Sequence, residues 1–250
     1  MLEQYGDQVA AVIGVDWGGV PCDFDELREV IQGRAYLIED AAHAICAEYK
    51  NQLVGAHADF TCFSFQAVKH ITTGDGGLLT CNDENVYNRA KRLRWFGVDR
   101  AKSGRKFDED IPESGFKLHM NDVAAAIGVS QLESLPYIMK RRREIAQYYE
   151  NELGDFQFQK TNYDCLSAYL LFTLQVENRN ELIKKLDSEG IEASPVFCRN
   201  DAYSGFQKHT LGKDNLVNTT TLVDKILCIP VGDWLTDTDT ERIVTCLKSR

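Results

Sequence analysis

Three side chains in the early part of this chain have the types and spacing for covalent chemistry: Asp40, Ser64 and Lys69. Lys69 is the amine, flanked by Val68 and, two residues on, Ile71. A lysine at a strand end is ordinarily a solvated surface cation. Held in a partly apolar pocket, the same amine is desolvated, its pKa falls and it becomes a usable nucleophile. Lys69 alone does not decide between these readings. Asp40 is a carboxylate that could keep a ring nitrogen protonated, and Ser64 is a hydroxyl that, with backbone N–H groups, could hold a phosphate. The plainer alternative is an Asp40–Lys69 ion pair and a Ser64 bonded to its own backbone.

The elements around these residues bring them together. Val9 to Val15 reads as a fully buried strand of a parallel sheet covered on both faces. After the loop 16–21, Asp23 with Glu26 three residues later forms a capping-box signature for a helix to about Gln32, closed by Gly33. Ala35 to Glu39 is a second strand, and right-handed crossover makes the two parallel neighbours. Asp40 thus falls at the carboxyl end of a strand, where open α/β sheets bind ligands. The stretch Asp59 to Gly77 begins as a strand through Ser64, passes Lys69 and ends in the turn Gly74-Asp75-Gly76-Gly77. All three groups then stand at strand ends or loops beside one sheet. An aldehyde cofactor with a ring nitrogen and a phosphate needs this set, and pyridoxal 5'-phosphate (PLP) meets the requirement.

Further along, Leu78 to Cys81 is a strand, and Asn82 or Asp83 caps a helix ending at Gly97. Val98 to His119 is a polar loop of a length usually tied to function. Asn121-Asp122 caps a helix that breaks near Pro136 and resumes to about Leu153. A composition change there divides the chain into residues 1–153, a sheet domain, and 154–250, a smaller α/β domain. In the second, Ala168 to Val176, Ile191 to Phe197 and Ile226 to Ile229 read as strands, and Asn180 to Glu189 and Thr219 to Lys225 as helices. Asn200 to Asn215 is a polar loop, and Thr236 with Asp239 opens the final helix. The basic run Lys140 to Arg143 reads as a solvated helix face or an interface edge.

Bulk properties exclude several classes. The chain has 250 residues, 44% hydrophobic and 26% charged, with net charge −10, which argues against general nucleic-acid or anionic-membrane binding. Its apolar runs are too short to span a bilayer and its first residues lack a secretory pattern. Eight cysteines without a CxxC pair, several of them inside apolar runs, fit reduced core thiols in a cytoplasmic protein better than disulfides or a zinc site.

The segments IEDAAHA (Ile38 to Ala44) and CFSFQAVKHITTGDGG (Cys62 to Gly77) closely resemble the DegT/DnrJ/StrS family of PLP-dependent nucleotide-sugar aminotransferases. The likeness extends to VDWGGVPCDFDEL, RLRWFGVDR, GFKLHMNDVAAAIGVSQLE and IPVGDWLTDTD, and so covers nearly the whole chain. It implies an α/β fold type I (aspartate aminotransferase-like) architecture, with part of the large PLP-binding domain followed by the small C-terminal domain. It implies that Lys69 forms the Schiff base with the cofactor and that Asp40 pairs with the pyridinium nitrogen. His43 would lie against the cofactor ring, Ser64 would bind the phosphate, and Asn121 would reach the site from the neighbouring subunit of a homodimer. Arg199 and Asn200 resemble a family stretch near the sugar nucleotide. The implied reaction is amination of a nucleoside-diphosphate keto-deoxysugar with glutamate as donor, in nucleotide-sugar and surface-polysaccharide biosynthesis. A dehydratase branch of the family carries His at the Schiff-base position, so Lys69 favours transamination. A non-catalytic remnant or interaction subunit of the same fold, which keeps the interface helix and has lost cofactor binding, is the other reading. The resemblance starts well inside the family's large domain, so roughly a first third has no counterpart here, which implies an uncovered sheet edge and exposed apolar surface.

Overall fold

A computed structural model describes residues 2–100, 110–162, 164–206 and 216–249. The polar residues 101–109 and 207–215, both assigned to loops from the sequence, lie outside the described residues. In chain order the elements are α1 (Leu2–Tyr5), β1 (Ala11–Val15), α2 (Phe24–Ile31), β2 (Tyr36–Asp40), β3 (Glu48–Tyr49), β4 (Gln52–Leu53), β5 (Phe60–Ser64), β6 (Gly77–Cys81), α3 (Glu84–Leu93), α4 (Asp122–Glu152), β7 (Gln157–Phe158), β8 (Cys165–Leu166), β9 (Phe172–Gln175), α5 (Arg179–Ser188), α6 (Val217–Leu222), β10 (Ile226–Ile229) and α7 (Asp237–Lys248). They form two compact units, residues 1–136 with 164–167, and 137–163 with 168–250. The division falls inside α4, whereas the composition change in the sequence falls at its end.

The first unit is built on a sheet of order β1-β2-β5-β6. β1, β2 and β5 run parallel and β6 returns antiparallel to β5. The β1-α2-β2 crossover follows the expected capping chemistry, since the Asp23 side chain accepts the Glu26 N–H at 3.0 Å and Gln32 closes the helix in the left-handed region. Phe24 and Ile31 from α2 and Leu37 from β2 are buried together with Tyr49 and Ala58. Burying side chains of this size stabilises the packing by about 1.5–3 kcal/mol each.

One strand differs from its sequence reading. β1 is not buried on both faces: it is the edge of the sheet, and Ile13 and Val15 are 62% and 50% exposed. The apolar run marks a strand, but only one of its faces is covered: Val12, like Leu27, packs against the cluster around Phe24 of α2, whereas Ile13 and Val15 point to the other face. At the opposite edge Leu78 and Leu79 of β6 are also exposed.

The second unit packs α5, α7 and the later half of α4 around the antiparallel sheet β10-β9-β7, with Leu174, Leu227, Leu186, Ile243 and Tyr149 at its centre. The final helix has the full reciprocal capping box between Thr236 and Asp239. Two sequence expectations fail in physically clear ways. Pro136 does not break α4, which runs unbroken over 31 residues. A proline removes one backbone donor, and here Leu135, Ile138 and Met139 are buried on either side and hold the helix across the gap. Ile191 to Phe197 forms no strand and pairs with β10 through the isolated Ser194–Cys228 bridge. The run Lys140 to Arg143 is likewise not a wholly solvated face, because Arg142 is 3% exposed. None of the eight cysteines forms a disulfide, and only Cys228 and Cys246 among them are buried, so most are not the core thiols expected from the sequence.

Candidate active site

The carboxyl ends of β1, β2 and β5 place the predicted residues side by side. Asp40 is the last residue of β2 and stands in register between Val15 of β1 and Cys62 of β5. The Ala41 N–H donates to the Cys62 carbonyl at 2.9 Å, and the Asp40 Oδ1 accepts the Ala42 N–H at 3.1 Å. These bonds turn the chain sharply at the strand end and fix the carboxylate. The tight turn brings His43 back beside it.

His43 accepts the Gly18 N–H at its Nδ1, 3.3 Å away, and its ring centroid lies 6.1 Å from that of Trp17. Burial and, to a lesser extent, the Lys69 cation lower its pKa to about 4, with Asp40 opposing both. A neutral imidazole accepting at Nδ1 carries its proton on Nε2. The sign for stability follows from the depressed value. The neutral ring is favoured in the folded state, so its contribution is present above pH 6.5 and is lost as pH falls toward about 4. Because the ring is only partly buried, we expect His43→Gln to recover about 1–2 kcal/mol of the stability lost over that window, read as a shallower acid limb in thermal melts.

Ser64 ends β5, and Lys69 lies in the loop that follows. That loop is closed at its base by Phe65 N–H to Gly76 carbonyl and Thr73 N–H to Phe65 carbonyl bonds, both 2.9 Å. Within it the Lys69 N–H donates to the Gln66 carbonyl at 2.9 Å, and the Val68 N–H to Gln66 Oε1 at 3.0 Å. The return into β6 needs glycine: Gly76 has φ +148°, and a Cβ on Gly77 would come within 2.7 Å of the Phe63 carbonyl oxygen. The Ser64 hydroxyl accepts the Gln66 N–H at 3.2 Å, which leaves its own O–H to donate. Burial lowers the Lys69 pKa, while the Asp40 carboxylate acts the other way.

Asn121 is exposed, and its Oδ1 accepts the Ala124 N–H at 2.9 Å as the N-cap of α4. Arg199, in the second unit, is held by Asp201 through Nε at 2.8 Å and by the Thr220 hydroxyl through Nη1 at 2.6 Å, and Asn200 begins a short 3-10 turn. Sequence reasoning missed Gly18, Asp16 and Glu39 near the site. Glu39 could have been noticed: next to Asp40 on one strand it must point to the opposite face of the sheet, an odd place for a charge.

The mixed α/β fold, with three parallel strands carrying Asp40 and His43 at their carboxyl edge, is that of the fold type I PLP-dependent transferases. The match to the DegT/DnrJ/EryC1/StrS aminotransferase family covers residues 6–248. This chain belongs to that family. It is 32% identical to an uncharacterized protein of Methanocaldococcus jannaschii, over 97% of this chain and 67% of the relative. Among solved structures, AtS13 from Actinomadura melliaura superposes with TM-score 0.91 at 33% identity, covering 96% of this chain and 66% of that one. The sugar aminotransferase CalS13 from Micromonospora echinospora superposes with TM-score 0.91 at 30% identity, covering 99% of this chain and 70% of the other. The chain therefore spans about two thirds of the length of the relatives it matches. The family is PLP-dependent, and the donor set fits the cofactor, since a partly desolvated amine stands within electrostatic reach of one carboxylate. Among the described residues no helix is long and apolar enough to cross a membrane.

Proposed function

We propose that this chain takes part in the PLP-dependent amination of a nucleoside-diphosphate keto-deoxysugar, with glutamate as amino donor, in the biosynthesis of nucleotide sugars for surface polysaccharides. The observation that carries this reading is the placement of the half-buried Lys69, in the loop after β5, within electrostatic reach of Asp40 at the end of β2 and of His43 beside it. When bound, PLP supplies an electron sink that stabilises negative charge at the carbon bearing the amine. Asp40 would hold the proton on the pyridine nitrogen, because an ionised carboxylate favours the charged ring. His43, neutral and fixed through Gly18, would lie against the ring face without adding charge. The Ser64 hydroxyl would donate to the phosphate. Lys69 would attach to the cofactor, be released by the donor, and then carry the proton between substrate and cofactor carbons.

In this reading the working unit is a cytoplasmic homodimer, with Asn121 contributing from the neighbouring subunit and Arg199 and Asn200 meeting the sugar nucleotide. Reducing the purified chain with borohydride after incubation with PLP is expected to leave the pyridoxyl mass on the peptide containing Lys69. Incubation with a panel of nucleotide-linked ketosugars and glutamate is expected to yield 2-oxoglutarate and an aminosugar in equal amounts. Labelling elsewhere, or deoxygenation of the sugar without net amination, would overturn the proposal.

A further inference from the structure

Behind Asp40, on the far side of the strand, lie two carboxyl groups that the reaction does not use. Asp16 follows β1 and Glu39 precedes Asp40 in β2, and both are completely buried. Glu39 accepts through Oε2 from the Thr61 hydroxyl at 2.6 Å and the Gly55 N–H at 3.2 Å. Asp16 accepts through Oδ1 from the Cys22 N–H at 2.9 Å. The remaining oxygens, Asp16 Oδ2 and Glu39 Oε1, are buried and receive no donor from the protein. The two carboxyl groups lie close enough to act on each other, with the Cys22 thiol also beside Asp16, and two ionised carboxylates in such a place have no hydrogen to share. We propose that Asp16 and Glu39 share one proton, and that this shared proton positions the two strand ends that carry Asp40 and His43.

The positioning runs through bonds on both sides of the pair. The Asp16 N–H donates to the Asp40 carbonyl at 3.1 Å, tying the end of β1 to the end of β2. The Asp16 carbonyl accepts the Gly19 N–H at 3.1 Å, and with the Cys22 bond this shapes the turn from which Gly18 reaches His43. Glu39 is covalently next to Asp40 and is itself anchored to β5 through Thr61. Losing the proton would leave two buried like charges beneath the carboxylate that serves the cofactor, where their repulsion is weakly screened.

The groups facing the pair are few. From the segment before α2 comes Cys22, whose Sγ donates to the Val15 carbonyl at 3.3 Å, and from β5 and the loop before it come the neutral Thr61 and the Gly55 N–H. No cation takes the place of the proton among the groups acting on Asp16. Burial, with the Glu39 charge adding to it, raises the Asp16 pKa to about 8. The folded protein therefore binds one more proton than the unfolded chain between the ordinary aspartate range and about pH 8. Stability from this group is greatest at low pH, declines across that window and is level above it.

The pair's role rests on the PLP-site reading, whereas the shared proton itself is measured without cofactor. Infrared difference spectra of the cofactor-free protein are expected to show a protonated-carboxyl band at neutral pH that fades near pH 8 and is absent in both Asp16→Asn and Glu39→Gln. Absence of a band meeting all three conditions overturns the shared proton. PLP affinity supplies the second measurement. Asp16→Asn, whose amide donates a fixed hydrogen to Glu39, is expected to match wild type near pH 7 and to bind about fivefold more tightly than wild type near pH 9.5. A wild-type-to-variant ratio that stays constant over this range overturns the positioning role. Should Asp16→Asn fail to fold, the same affinity ratio is read with Glu39→Gln, which also replaces the shared proton by a fixed donor. Failure of wild type to label at Lys69 would count against the PLP site and leave the infrared result standing.

Discussion

Replacing Lys69 by alanine is expected to lower amination by about a hundredfold to ten-thousandfold, and to remove borohydride-stable PLP from the chain. The size of the effect follows from the double use of one atom. The same Nζ would attach to the cofactor and later carry the proton, so no neighbouring group can supply half of its work. His43 is not a substitute, because its Nδ1 is already occupied by the Gly18 N–H. Lys69→Arg is expected to be as damaging as alanine despite keeping the charge, because a guanidinium does not deprotonate near neutral pH. The fold should survive both changes. The Lys69 bond to Gln66 is made by the backbone and persists whatever the side chain. The measurement is 2-oxoglutarate release together with far-UV circular dichroism. Undiminished amination in a folded Lys69→Ala protein would remove this residue from the mechanism.

The largest stability effect is expected at Arg142. Its guanidinium is buried in the second unit and donates through Nη1 to the carbonyls of Val231 at 2.8 Å and Tyr169 at 3.0 Å. It also lies over the Trp234 ring, 5.4 Å from the centroid. Burial lowers its pKa, and Asp233 partly restores it. Removing the side chain would strand those carbonyls away from water and leave a hole under the indole. We expect Arg142→Ala to cost about 3–5 kcal/mol, against a total domain stability of about 5–15 kcal/mol. Arg142→Lys is expected to recover only part of this, since an ammonium cannot reproduce the planar fork. Urea denaturation followed by tryptophan fluorescence would measure it, and a loss under about 1 kcal/mol would show that water replaces the guanidinium at little cost.

Comparing these two sites shows what the sequence made legible. Asp40 and Ser64 could be placed at strand ends and Lys69 in the loop after one, because those strands announce themselves by β-branched or aromatic residues and the loop's return by glycine. Arg142 could not, because a cation in a basic run looks solvated until the chain around it is folded. Its partners, Tyr169 and Val231, lie 27 and 89 residues away. The same limit explains Asp16 and Glu39, whose burial depends on strands that meet only in the sheet. The β3–β4 hairpin was also missed. Its turn residues Lys50 and Asn51 both have positive φ, of 50° and 62°, as a two-residue mirror-image turn requires, yet the pair lacks the glycine that usually signals one. Local chemistry was readable; long-range packing was not.

That hairpin has a partner from far along the chain. β3 pairs antiparallel with β8, and the Lys50 N–H donates to the Asp164 carbonyl at 2.7 Å. Residues 164–167 thus complete a unit whose other members all precede residue 137. A ribosome making this protein must release the whole of α4 and the β7 segment before the first unit can close. Until then the β3 edge stands open as a template for other strands. A fragment cut at residue 153 would be held in that unfinished state permanently.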